Sequence, residues 1–261
     1  MWDSKVVGIK IDHLLLAVGI AVAAITTIFS TTAFSQSTDN FTFTAVGDWG
    51  CTSNTNAMAS EMNTKNSEVV LGLGDYSYEP TMGCWHDIIS QYPTIHDNLH
   101  VSLGNHEDDL CGDCSAGTNL NSTGRAEFLA HFNLSSSTFY SFDYKRVHFI
   151  ALDTESDSPQ QLNFAKNDLA AAGNSPDIDW IVAYMHHPLY TSCIQTCGYG
   201  GGNHTTFRDL YQPVLDKYVD LVLYGHYHDY ERMMPMTYKV RRHMKYLVVS
   251  YSPPELYLAF T

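Results

Sequence analysis

Five short clusters of Asp, Asn, His and Tyr recur along this 261-residue chain: Gly47-Asp48-Trp49-Gly50, Gly74-Asp75-Tyr76-Ser77-Tyr78, Gly104-Asn105-His106-Glu107, His186-His187-Pro188 and Gly225-His226-Tyr227-His228. Each follows a run of β-type apolar residues. Such a run, ending at a hard oxygen or imidazole ligand, is how a parallel strand delivers a side chain from its carboxyl end into a crevice. Five such deliveries predict one site. The carboxylates of Asp48 and Asp75, the amide of Asn105, the phenol of Tyr78 and the imidazoles of His186, His226 and His228 suit divalent or trivalent first-row metals. The set is rich enough for two ions.

Taken singly, each cluster is weaker. A Gly-Asp pair after a strand is more often a turn that caps a helix. His226 and His228 carry more weight, because residues two apart on an extended segment face the same way and can approach neighbouring metals. Tyr78, three residues after Asp75, could bind one metal while the carboxylate bridges two. The competing reading makes Tyr78 an aromatic wall beside Tyr76 and both metals divalent.

The elements that must hold these residues are legible from periodicity. Strands are predicted over 41–46, 68–73 and 99–103, with helices over 55–65, about 85–92 and 125–132. Residues 139–144 and 147–153 flank Lys145-Arg146 as a hairpin and an antiparallel addition. A helix opens at Ser158-Pro159, strands cover 178–185 and 219–224, and a helix spans 207–218. Thr191 to Asn203, with two Cys and four Gly, reads as a long loop beside the site. The fold class expected is α/β: a four-layer αββα sandwich of two mixed sheets flanked by helices, with the binuclear metal site at the strand carboxyl ends.

Length supports one catalytic domain, assigned to residues 36–261. The formal charge of −14, from 14 Lys+Arg against 28 Asp+Glu, excludes a nucleic-acid surface, which needs a basic footprint. Residues 1–35 carry Lys5 and Lys10, an uncharged apolar run from Leu14 to Phe29, and Ala33-Phe34-Ser35. That order reads as a signal peptide cleaved after Ser35, with a retained N-terminal membrane anchor as the alternative; no other stable membrane contact is expected. Either way the domain is extracytoplasmic. Cys51, Cys84, Cys111, Cys114, Cys193 and Cys197 fit disulfide staples in that compartment, against a rival zinc site. Sequons at Asn40, Asn121, Asn133 and Asn203 fit a glycoprotein.

The ordered series GDWG, GDYSY, GNHE, MHHP and GHYHDYER, over about residues 41–232, resembles the calcineurin-like metallophosphoesterase superfamily and, within it, the purple acid phosphatases. Tyr78 selects the branch, where a tyrosine at this place is a charge-transfer ligand of ferric iron. The resemblance implies Asp48, Tyr78 and His228 on Fe(3+), Asp75 bridging, and Asn105, His186 and His226 on a divalent ion of zinc, iron or manganese. It makes His106 an outer-sphere acid or phosphoryl partner, and His204 a candidate second substrate-side histidine, although the loop before His204 is unlike the family pattern. His187 is expected to make no metal contact, and Glu231 with Arg232 to form an ion pair bracing the last loop.

The implied activity is acid phosphatase chemistry on small phosphate esters, by in-line attack of a metal-bound hydroxide on phosphomonoesters. Two alternatives share the residues: a phosphodiesterase or nucleotidase on the same site, and a non-catalytic metal-binding surface module. The complete ligand set with His106 argues against the last. The ending departs from the resemblance, since Tyr246 to Ser250 runs into Tyr251-Ser252-Pro253-Pro254 where a glycine-rich segment is usual. A trimmed or divergent C-terminus is the expectation there, bearing on substrate fit more than on metal binding.

Overall fold

Phe43–Val46 (β1), Val69–Leu73 (β2) and Leu99–Ser102 (β3) lie parallel and side by side, with Phe43 opposite Val69 and Val70 opposite Leu99. The structure is a computed structural model that describes residues 40–108, 111, 114–192, 205–233, 245–249 and 258–260. Strands buried on both faces explain why these runs are continuously apolar rather than alternating. Phe43, Ala45, Val69, Leu71 and Leu73 point to one side, and Val46, Val70 and Val101 to the other.

The second side is covered by Ser53–Asn63 (α1), Gly83–Ile89 (α2), Pro93–Asn98 (α3) and Ser122–His131 (α4), through Met58, Met62, Trp85, Ile89, Ile95 and Phe128. Thr52 starts α1 with a capping box, its hydroxyl accepting from Asn54 N and Thr55 N while the Thr55 side chain accepts from Thr52 N. Helix α3 was not expected; Pro93 at its first turn fixes the backbone where the peptide N–H has no intrahelical acceptor.

Tyr140–Tyr144 (β4) and Val147–Ala151 (β5) form the expected hairpin. Pro159–Asn174 (α5) follows, capped by Ser158, then Trp180–Tyr184 (β6), Thr205–Tyr218 (α6) and Leu221–Tyr224 (β7). Tyr230–Arg232 (β8) lies inside the last ligand loop, and Lys245–Val249 (β9) and Leu258–Phe260 (β10) complete the described strands.

Among the described residues the strands make a four-stranded sheet, β10-β1-β2-β3, and a six-stranded sheet, β4-β5-β6-β7-β9-β8. Both are mixed: β10 runs antiparallel to β1, β4 to β5, and β8 to β9, while the remaining pairs are parallel. Phe43, Leu71 and Leu73 of one sheet meet Phe149, Val182, Tyr184 and Leu223 of the other. Helices α5 and α6 cover the outer side of the second sheet through Ala165, Leu169, Phe207, Tyr211 and Leu215. The architecture is the expected αββα sandwich. Asn40–Thr261 group as one compact unit.

Cys51 bonds to Cys84 and Cys111 to Cys114, so these four are staples and not zinc ligands. Cys193, Cys197, His204, the Asn203 sequon, residues 1–35 and the segment Tyr251 to Pro254 lie outside the described residues. Among the described residues no helix is long and apolar enough to cross a membrane.

Candidate metal centre

Strands β1, β2, β3, β6 and β7 all end within a few residues of a cluster member: Asp48, Asp75, Asn105, His186 and His226 respectively. Parallel pairing puts these ends on one edge of each sheet. The chain then turns sharply, and four of the seven expected ligands sit in the left-handed region: Asp48 at φ 55°, Asp75 at 56°, Tyr78 at 52° and His226 at 76°. Asp tolerates that conformation, whereas for Tyr78 it costs about 1 to 3 kcal/mol that the surrounding structure must offset. Glycine allows the crowding. A Cβ on Gly74, itself at φ +87°, would stand 2.5 Å from His186 Nδ1, and one on Gly104 would strike the Asp75 carboxylate.

Two groups of donors face inward. In the first, Tyr78 Oη lies 3.1 Å from Asp48 Oδ1 and 2.8 Å from His228 Nε2, with His228 Nε2 3.3 Å from Asp48 Oδ1. In the second, His186 Nε2 lies 2.9 Å from Asn105 Oδ1, 3.2 Å from Asp75 Oδ2 and 3.2 Å from His226 Nδ1, which is 3.1 Å from Asn105 Oδ1. Asp48 links the groups, since its Oδ2 accepts from the His226 backbone N–H at 2.9 Å.

These spacings fit cations. Ligand atoms about 2.1 Å from one ion lie about 3.0 to 3.4 Å apart around it, close to the separations of 2.8 to 3.3 Å within each group. Protonation also fits. His186 Nδ1 donates to Leu73 O at 2.7 Å, so Nε2 is the end that faces the oxygens of Asp75 and Asn105. Buried oxygens of Asp75 and Asn105 gathered on one nitrogen call for positive charge there, carried by a proton on His186 or by a cation in its place.

The electrostatics state the same demand. Burial opposes a charged His186, yet the Asp75 and Asp48 carboxylates push it up to about 10. Burial, then the neighbouring His187 and His186, push His226 down to about 2. Burial likewise opposes charge on Asp75, and the His186 imidazole overrides it, holding the carboxyl below its ordinary value. Burial together with the Asp48 and Asp75 carboxylates raises the Tyr78 phenol well above its usual range. Asp75, His186 and His226 alone would supply three donor atoms close enough to grip one ion.

His106 stands at the rim. Its Nδ1 meets Thr118 O at 2.5 Å, so the ring is oriented from behind and Nε2 is the free end, 3.9 Å from Asp75 Oδ2. Its ring packs edgewise on Tyr78 at 4.4 Å between centroids. His187 packs its ring 4.0 Å from that of His226, centroid to centroid, while its Nδ1 is engaged elsewhere, 2.7 Å from Glu155 Oε1 and 3.2 Å from Thr154 Oγ1. Glu231 braces the last loop as expected, but through the Ser192 backbone N–H at 2.9 Å rather than through Arg232.

Sequence reasoning passed over Glu107. Fully buried on the short 3-10 turn Asn105–Glu107, its carboxylate accepts from Asp75 N at 2.7 Å, Gly104 N at 2.9 Å and Tyr76 N at 2.9 Å. It thereby ties the turn after β3 to the turn after β2, where Asp75 and Tyr78 are set. Burial and the charge of Asp75 push it up to about 8, while those three N–H groups pull the other way. Both oxygens face donors only.

The family model for calcineurin-like phosphoesterases matches residues 41–230, the span that carries every described donor. The chain belongs to the calcineurin-like phosphoesterase family. Within that family it is of the purple acid phosphatase type. Purple acid phosphatase 15 of Arabidopsis thaliana is 30% identical over 220 residues, which take in 72% of this chain and 40% of that protein. Probable inactive purple acid phosphatase 1 of the same plant is 29% identical over 186 residues, 66% of this chain and 30% of that protein. This phosphoesterase chain spans less than half the length of the curated relatives it matches. Its fold is shared with a purple acid phosphatase from yellow lupin (Lupinus luteus) seeds, at TM-score 0.59 and 22% identity over 80% of this chain and 43% of that one. A dimetal phosphatase from Danio rerio shares the fold at TM-score 0.57 and 14% identity, over 82% of this chain and 89% of that one.

Proposed function

We propose that this phosphoesterase hydrolyses small phosphomonoesters. Asp48, Tyr78 and His228 would hold a ferric ion, Asn105, His186 and His226 a divalent zinc, iron or manganese ion, and Asp75 would bridge them. The observation that carries this reading is the placement of Tyr78. Its phenol oxygen sits between Asp48 and His228, at 3.1 and 2.8 Å, instead of packing beside Tyr76, which is buried against Trp49, Trp85 and Phe128. A phenol among hard oxygens suits a trivalent ion, and the imidazole-rich second group suits a divalent one. When bound, such a pair supplies an activated water and neutralises charge developing on the phosphoryl oxygens.

The chain's own residues would do the rest. His106, with Nδ1 held by Thr118 O, presents Nε2 to protonate the leaving oxygen or to hydrogen-bond the phosphoryl group. His204 would be a second histidine on the substrate side. The buried carboxylates of Asp75 and Asp48 would hold the cations, while Glu107 keeps the Asp75 turn in place. Some relatives carry the description inactive in their names. The intact donor set with His106 is what favours activity here.

The acidic chain, at net charge −14, favours small anionic esters delivered to the cations over a nucleic-acid partner. The Cys51–Cys84 and Cys111–Cys114 bonds support an oxidising, extracytoplasmic setting, with residues 1–35 as its secretion signal. The test is metal analysis and a visible spectrum of the purified protein, with hydrolysis of p-nitrophenyl phosphate. Iron, a visible tyrosinate-to-iron band, and activity lost by several orders of magnitude in Asp75→Ala and Asn105→Ala are expected. Activity that survives both substitutions would reject the reading.

A further inference from the structure

One member of the donor set has a problem the others lack. A carboxylate offers oxygen at both ends and an imidazole is oriented through its second nitrogen. A carboxamide is nearly symmetric in shape, yet only one end can bind a cation. Asn105 is buried, with Oδ1 2.9 Å from His186 Nε2 and 3.1 Å from His226 Nδ1. Turning its side-chain amide through half a revolution would bring the NH2 group onto those two nitrogens and onto any ion they share.

The choice of end is made on the opposite side of the amide. Asn105 Nδ2 lies 3.7 Å from Cys111 Sγ and 3.4 Å from Cys114 Sγ, and these sulfurs are bonded to each other. A disulfide sulfur has no hydrogen, so it accepts weakly and donates nothing. It can receive the two N–H groups of the amide and can only repel a carbonyl oxygen. Two thiols or two hydroxyls in the same place could donate to the oxygen and would tolerate the flipped amide. Ring size points the same way. The Cys111–Cys114 bond closes a separation of only 3 residues, against 33 for Cys51–Cys84, so it constrains the unfolded chain far less.

We infer that the Cys111–Cys114 disulfide is a positioning pair for Asn105, holding its amide oxygen toward the ion shared with His186 and His226; this rests on the two-metal reading above. Neither sulfur touches substrate. The disulfide acts through the amide alone, and its effect should vanish when residue 105 offers oxygen at both ends.

The test uses the full oxidised chain, stripped of metal and titrated with zinc alone by calorimetry, with elemental analysis for stoichiometry. The unaltered protein should bind two zinc ions. Cys111→Ala/Cys114→Ala should weaken one of them by about 10- to 100-fold, the usual effect of losing a partner behind a ligand, and leave the other. In the Asn105→Asp background the same pair of substitutions should change affinity by less than about threefold, a coupling that a merely structural staple would not show. Cys51→Ala/Cys84→Ala, whose sulfur contacts Ser77 rather than a donor, should lower the melting temperature more and leave zinc affinity alone. Should the alanine pair fail to fold, Cys111→Ser/Cys114→Ser should weaken the same zinc ion. Two undiminished zinc ions in the alanine or the serine variant of Cys111 and Cys114, or an equal loss in the Asn105→Asp background, overturns the positioning role and leaves the two-metal reading standing. An unaltered protein that takes up no zinc overturns both.

Discussion

Glu107→Gln tests whether the two ligand turns are tied together as described. The carboxylate places Oε2 on Asp75 N and Gly104 N, at 2.7 and 2.9 Å, and Oε1 on Tyr76 N at 2.9 Å. A glutamine that keeps its oxygen at the first position retains two bonds and turns its NH2 onto the Tyr76 N–H. One bond to a charged acceptor is lost, at about 1.5 to 3 kcal/mol, and the two survivors weaken toward neutral strength. The gross loss is about 4 kcal/mol. Relief of burial and of repulsion from Asp75, the causes that push Glu107 up to about 8, returns part of it. A net cost of about 2 to 3 kcal/mol remains.

For a domain of this size, 1 kcal/mol moves the melting temperature by about 2 to 4 °C, so a fall of about 8 °C is expected. The measurement is thermal unfolding by circular dichroism in excess chelator, so that metal loss cannot supply the change. A parallel zinc titration should show affinity reduced by about 10- to 100-fold, because Asp75 at φ 56° is no longer held from behind. A melting temperature within 2 °C of the unaltered protein, with zinc affinity unchanged, refutes the clamp.

Further outcomes follow from the same geometry. His106→Ala should retain both metals by elemental analysis and lower turnover of p-nitrophenyl phosphate by about 10² to 10⁴-fold, since it removes a positioned proton donor and no ligand. Tyr78→Phe should bleach the visible band of the iron-loaded protein while the far-ultraviolet circular dichroism stays unchanged; a band that persists assigns the colour elsewhere. His148, on β5, is held between Asp143 of β4 at 2.6 Å and Asp168 of α5 at 2.8 Å. Burial opposes its charge, but hydrogen bonds and charge from both carboxylates raise it above 6.5. A raised histidine stabilises most below 6.5 and loses that contribution as pH rises through its folded value. The melting-temperature gap between the unaltered protein and His148→Gln should therefore be widest in acid and narrow above neutrality, and a gap that widens with pH contradicts this.

Much of the sandwich was legible because its strands are apolar on both faces and short, as Val69–Leu73 and Trp180–Tyr184 show, and because Gly47, Gly74 and Gly225 mark where Phe43–Val46, Val69–Leu73 and Leu221–Tyr224 stop. The helix at Pro93–Asn98 escaped notice because at six residues it is too short to show a period, and only Pro93 announces it. Strand β10 joins β1 from the far end of the chain, and pairing over that separation leaves no local mark in Leu258–Phe260.

The metal donors were legible for a different reason. A ligand must be a rare, chemically specific residue at a strand end, so its type survives reading one residue at a time. Orientation does not. Asn105 is recognisable as a candidate ligand, but which end of its amide would face an ion turns, on the inference above, on Cys111 and Cys114, whose spacing reads only as a staple. Glu107 ends GNHE as a charged residue on a polar turn, and nothing local says it is buried and bonded to Asp75 N and Tyr76 N on the neighbouring loop. Its one sequence mark is position. A carboxylate three residues after Gly104 can reach back to the Gly104 N–H, as in a capping box whose N-cap has no side chain of its own. With Oε2 so anchored, Oε1 is left for a second loop, and the loop that carries Asp75 is the one packed beside it.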